Sequence, residues 1–185
     1  MPIFGITASS NQTVKLTDFY QISTTTLSSA QSSIVFSNIP QTYTHLQIRY
    51  IARNSGANTD LNVAARFNSD SSSNYSEHYL YGTGSAAASG GAANTTAILF
   101  GRITGASSTA SIFGACVADI LDYRDTNKFK TSRLITGNEQ NGSGFVFYES
   151  GNWRSTNAIT SITIYPVDSH NFVSGSSFQL YGVNA

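Results

Sequence analysis

The stretch Ser150-Gly-Asn-Trp-Arg-Ser-Thr-Asn-Ala-Ile-Thr-Ser-Ile-Thr-Ile-Tyr165, with the closing Gly175-Ser-Ser-Phe-Gln-Leu-Tyr-Gly182, decides the fold. Ile159, Ile162 and Ile164 sit among threonines and serines, and Phe178, Leu180 and Gly182 alternate with Gln179 and Tyr181. This is the period of a strand with one buried face. Neither stretch carries a group suited to catalysis.

Working outward, the same pattern recurs from Tyr20 onward: short runs rich in Thr, Ile, Val, Tyr and Phe, separated by Ser, Asn, Gly and Pro. Strands are predicted over 19–26, 32–37, 43–53, 60–68, 75–81, 95–104, 110–123, 128–136, 144–149, 158–165 and 176–183. The third is the clearest, with Leu46, Ile48, Tyr50 and Ala52 on one face and Gln47, Arg49, Ile51 and Arg53 on the other. No segment shows a helical stripe. Many strands without intervening helices predict an all-β chain, an antiparallel β-sandwich of jelly-roll-like topology. It is expected to span residues 19–185, behind an N-terminal arm over 1–18 that carries Ile3, Phe4, Ile6, Val14 and Leu16 without sustained periodicity. Residues 82–94, glycine- and alanine-rich with no large side chain to bury, are expected to form a loop.

The 185 residues suffice for one core without disulfides. Charged residues make up only 11 %, against roughly 25 % in ordinary soluble proteins, and the formal net charge is zero. Such a balance offers nucleic acid or an anionic membrane no general attraction, so neither is expected as a partner. It also lacks the charge repulsion that keeps copies apart, which favours assembly. Met1-Pro-Ile-Phe-Gly-Ile-Thr-Ala has no cationic start and too short an apolar run for a signal peptide, so synthesis in a cytoplasm is expected.

The residues that could carry chemistry form no recognisable constellation. There is no Gly-x-Ser-x-Gly elbow, no phosphate loop and no His or Cys pair at metal-ligand spacing. His45, His78 and His170 are scattered. Asp119, Asp122 and Asp125, with Arg124 and Lys128, read as a solvated strand end and turn, since carboxylates three apart do not share one face of a strand. Asn68-Ser-Asp-Ser-Ser-Ser-Asn74 alternates oxygen donors but lacks the glycine and glutamate of a calcium loop. Cys116 lies in an apolar run and reads as a core residue. Thus no catalytic residue, metal site or cofactor is expected, and the chain reads as a non-enzyme. Among the aromatics, Tyr75, Tyr79 and Tyr81 share a strand face, and Trp153 with Arg154 is placed in a turn where stacking could hold a ligand or partner.

Several segments together resemble a module of tailed-bacteriophage virion proteins, cyanophages included. They are Thr24-Thr-Thr-Leu-Ser-Ser-Ala30 leading into Ile34-Val-Phe-Ser-Asn-Ile-Pro-Gln-Thr-Tyr-Thr-His-Leu-Gln-Ile-Arg49, then Arg66-Phe-Asn-Ser-Asp70 through Tyr75 to Tyr81-Gly82, Asp119-Ile-Leu-Asp-Tyr123 with Asn127-Lys-Phe-Lys130, and Phe178-Gln-Leu-Tyr-Gly182. The resemblance covers the chain from about residue 22. It implies a virion location and a structural role without catalytic residues. A nearly free-standing module looks most like a capsid decoration, or cement, protein that forms a homotrimer and binds between major capsid proteins. Phe4, Ile6, Val14 and Leu16 would then anchor the arm to the capsid. The alternative is the receptor-binding head of a tail fibre, holding host surface glycans through Trp153, Arg154 and the 82–94 segment.

Overall fold

The computed structural model describes residues 18–184. Twelve strands form among them: β1 (Phe19–Thr26), β2 (Ile34–Phe36), β3 (His45–Ala52), β4 (Asp60–Phe67), β5 (Tyr75–Gly82), β6 (Ala87–Thr95), β7 (Ile98–Thr104), β8 (Gly114–Leu121), β9 (Lys130–Glu139), β10 (Gly144–Trp153), β11 (Ile162–Pro166) and β12 (Ser177–Val183). One 3₁₀ turn, Val167–Ser169, follows β11. The expected arm residues Phe4, Ile6, Val14 and Leu16 lie outside the described residues.

The strands make two antiparallel sheets, one of eight strands ordered β1-β12-β3-β8-β9-β10-β5-β6 and one of four ordered β2-β11-β4-β7. Early strands pair with late ones in nested order: β1 with β12, β2 with β11, β5 with β10. The chain crosses between sheets repeatedly, which is the wound arrangement of a jelly-roll-like sandwich. Alternation explains the core. Leu46, Ile48, Tyr50 and Ala52 of β3, Cys116, Ala118 and Ile120 of β8, and Phe178 and Leu180 of β12 face inward. From the smaller sheet, Val63, Ala65, Phe67, Ile98, Phe100, Ile162 and Ile164 meet them in one cluster.

The closest approach between the sheets is made by β7. The Tyr50 hydroxyl donates to the Phe100 carbonyl at 2.7 Å, and the Thr136 hydroxyl donates to that of Arg102. Two glycines permit this. Gly101 holds φ at +111°, and a side chain there would run into the Tyr50 hydroxyl and Thr136. A methyl group at Gly151 of β10 would overlap the Ile98 side chain. A second tie joins the sheets at one end, where Phe67 and Tyr75 pack on Trp153 with ring centroids 5.7 and 6.3 Å away. The Trp153 indole N–H donates to Asp70 Oδ2 at 2.8 Å. Partial burial pushes the Asp70 carboxyl up, but hydrogen bonds from Trp153, Ser72 and Asn74 outweigh it and leave its pKa at about 2.

Two expectations are corrected here. The segment 82–94 is not a loop: Ala87–Thr95 is a full strand paired with β5. Its two glycines answer to β5: the Tyr79 ring fills the space above Gly90, and the His78 ring that above Gly91, where a Cβ would stand. Trp153 is not in a turn either. β10 runs on to Trp153, whose ring is 1 % exposed.

Replacing Gly101 by Ala is expected to cost about 2–4 kcal/mol, since a strained φ and the loss of the Tyr50–Phe100 bond coincide. Urea unfolding of the two proteins measures it. A cost below about 0.5 kcal/mol would mean that the β7 contact is not a principal tie between the sheets.

Candidate functional site

The residues singled out from the sequence are used mostly for structure. With its ring in the core, Trp153 cannot stack on a ligand. Arg154 donates to the Ser73 carbonyl and to Asn94 Oδ1, both at 2.7 Å, and so ties the β4–β5 turn to the end of β6. Tyr75 is buried, and Tyr79 and Tyr81 pack partly buried against the core, with Tyr79 stacked on Phe147 at 5.0 Å. His45 Nδ1 accepts the Asp122 backbone N–H at 2.9 Å.

The acidic cluster divides in two. Asp119 sits on the outer face of the large sheet, where it accepts from Gln47 Nε2 at 2.8 Å and lies 3.7 Å from Arg133. Asp122 and Asp125 stay in the following turn and share Lys128 at 2.8 and 3.5 Å. Among the described residues, no group of three His, Cys, Asp or Glu side chains converges. In the 68–74 turn, the Asp70 oxygens are occupied by Ser72, Asn74 and Trp153. Burial pushes the Cys116 thiol up to about 12, far from thiolate reactivity. Lys130, fully buried, donates to the carbonyls of Asp125, Lys128 and Thr156.

Two features escaped the sequence reading. The first is a pair of interior carboxyls. Glu149 is 0 % exposed and, among the described residues, neither of its oxygens has a hydrogen-bond partner. Glu77 lies on the same face of the neighbouring strand, opposite Gly151, and is 8 % exposed. It accepts the Leu99 backbone N–H, while its Oε2 is unpartnered. Burial, and then the charge of Glu77, push the Glu149 pKa up to about 9. Burial also raises that of Glu77. Glu149 is therefore a neutral acid at pH 7. Sealed from solvent, it is out of a substrate's reach.

The second feature is the outer face of the eight-stranded sheet. Strand register sets Val117, Ile135, Tyr148 and Leu80 side by side on β8, β9, β10 and β5. They are between 40 and 57 % exposed. Ile51 and Val146 extend the patch in the next row, where Ala115 and Gly137 lie between them. Polar residues bound it on the other side: Gln47, Asp119, Arg133, Ser150 and His78 follow one another across the strands. Beside Tyr148 and Leu80, an open recess of about 500 Å³ is lined also by His78, Tyr79, Ser89, Gly90 and Ser150. An apolar centre with a polar rim is the composition of a protein-binding face.

No family model matches the chain, and no curated protein matches it. Among solved structures, the chain is similar to the galectin LEC-6 of Caenorhabditis elegans, at 7 % identity and a TM-score of 0.32, over 91 % of this chain and 96 % of that one. So remote a likeness carries no argument about ligand or partner.

The buried acid has a measurable signature. Glu149 is protonated in the folded protein up to about pH 9 but ionises near pH 4.3 once unfolded. Its raised value therefore costs stability progressively as pH rises between those limits, by up to about 1.4 kcal/mol per pH unit. Glu149→Gln removes this term, so its stability relative to the parent should climb from pH 5 to 9 and level off above. Urea midpoints that move in parallel across that range would contradict the assignment.

Proposed function

We propose that this chain is a non-enzymatic structural protein of a bacteriophage virion, a decoration protein that strengthens the capsid by binding between major capsid proteins. The observation that carries the reading is the apolar row Val117–Ile135–Tyr148–Leu80, displayed on a charge-poor sheet whose other face is buried along its central strands. Water-exposed apolar side chains at the centre of a sheet gain roughly 25 cal/mol per Å² when a partner covers them. The resemblance of the segments from residue 22 onward to virion modules supports the major capsid protein as that partner. The arm residues Phe4, Ile6, Val14 and Leu16 supply a second apolar contact of the same kind.

Two changes test this with undecorated capsids of the phage that encodes the chain. Ile135→Asp and Tyr148→Asp place a charge in the centre of the row without touching the core. Each should weaken binding at least ten-fold, about 1.4 kcal/mol, with an unchanged melting temperature. Deleting residues 1–17 should do the same. Binding of all three at the parental affinity would defeat the decoration reading.

A fibre head that holds host glycans is the second reading, and the recess beside Tyr148 favours it. An exposed tyrosine flanked by His78, Ser89 and Ser150 offers both a stacking plane and hydrogen-bonding groups. On a host-polysaccharide array this reading expects signal that Tyr148→Ala abolishes, whereas a blank array would dispose of it.

A further inference from the structure

The two sheets end in four strand edges, and three of them are guarded. β1 carries an irregularity between Gln21 and Ser23 that breaks its ladder. β2 is only three residues long. β7 is bent at Gly101, its Leu99 amide is taken by the Glu77 carboxylate, and its Arg102 is paired with Asp60 at 2.9 Å. These are the devices by which native sheets block unwanted pairing.

Over Ala87–Ala93, β6 has none of them. Its nine residues, Ala87-Ala-Ser-Gly-Gly-Ala-Ala-Asn-Thr95, include no charge and no proline. From Ala87 to Ala93 the register with β5 is unbroken, and the irregularity comes only at the far end, where Asn94 takes a φ of 59°. Among the described residues, β5 lies on one side of this run and no strand on the other. The β5–β6 hairpin shows which groups are free. Thr83 N–H donates to the Ala86 carbonyl at 2.9 Å, so Thr83 and Ala86 form a hydrogen-bonded pair. Antiparallel alternation then turns the amides and carbonyls of Ala87, Ser89, Gly91 and Ala93 outward. The rings of Tyr79 and His78 stand over Gly90 and Gly91, leaving the in-plane edge as the open approach to that part of the strand.

The geometry points to β6 of a second copy as the occupant, paired antiparallel about a two-fold axis through Ala87–Ala93, so that two eight-stranded sheets become one. Self-pairing fits because the edge is neutral and its residues small. In whatever register the two-fold is placed, Ala, Ser and Gly face Ala, Ser and Gly, with no like charges opposed and no side chain to displace. A two-fold also matches each outward amide of one strand to an outward carbonyl of its copy. The contact yields even-numbered assemblies, in place of the three-fold one that the virion resemblance implies.

Sedimentation equilibrium of the full chain tests it, with Ser89→Pro, Ser89→Lys and Ser89→Ala. Proline at 89 deletes one outward amide and no bond to β5. Lysine leaves every amide in place but sets like charges across the axis. The parent and Ser89→Ala should sediment as a dimer or a multiple of it. Ser89→Pro and Ser89→Lys should weaken association at least ten-fold while keeping the parental far-ultraviolet dichroism and melting temperature, and salt should partly rescue the lysine variant. Should proline disturb the hairpin, the lysine variant decides alone. The inference is overturned by a parent that stays monomeric at tens of micromolar, by an odd-numbered assembly, or by association that Ser89→Lys leaves unmoved. Association lost on removal of residues 1–17 but kept in Ser89→Lys would overturn it too, in favour of the arm.

Discussion

The hydroxyl of Tyr50, rising from the large sheet to the Phe100 carbonyl of β7 at 2.7 Å, is the contact on which the rest of this sandwich depends. A phenol buried in the core must find an acceptor or forfeit the energy of a lost hydrogen bond. Here it finds a backbone carbonyl, one it can reach because Gly101 bends β7 and Gly151 gives Ile98 room. The inner faces of both sheets close around this point, with Ile98, Phe100 and Ile103 of β7 in one cluster with Ala118, Leu134 and Phe147 of the large sheet. At the other end, Trp153 and Asp70 repeat the device in different chemistry.

Four strands cannot cover eight. The small sheet shields the middle of the large one, while towards β5 the partly buried Tyr79 and Tyr81 stack on Phe147, with the Arg102 guanidinium over Tyr81. Among the described residues, no layer lies over the outer face. Its apolar row is left exposed by them, and a protein with so few charges has little to keep another such surface away. The same scarcity of charge bears on the interior. Among the described residues Glu149 meets no cation across the core, so it stays protonated rather than ion-paired, and the sandwich carries a carboxylic acid where an apolar residue would fit.

Much of this was legible in the residues. Period-two alternation located β3, β11 and β12 because apolar and polar residues alternate along each, and the absence of helical stripes left a sandwich as the economical packing. What escaped did so for a common reason: a side chain's meaning was set by the neighbouring strand. Gly90 and Gly91 look like a loop until the Tyr79 and His78 rings are seen to fill their place. Gly-Asn-Trp-Arg looks like a turn until Gly151 is found facing Ile98, with Trp153 stacked beside Tyr75. Glu77 and Glu149 are separated by 72 residues in sequence and meet only through the β5–β10 register. The outer row has the same origin, since Val117, Ile135, Tyr148 and Leu80 belong to four strands and become a row only when those strands align.

The measurement that bears most directly on the account is the number of copies of this chain per virion, by quantitative mass spectrometry of purified particles against the major capsid protein. The decoration reading predicts hundreds, in fixed ratio to the capsid subunit. A handful to a few tens would put the chain on the tail or a vertex and contradict it.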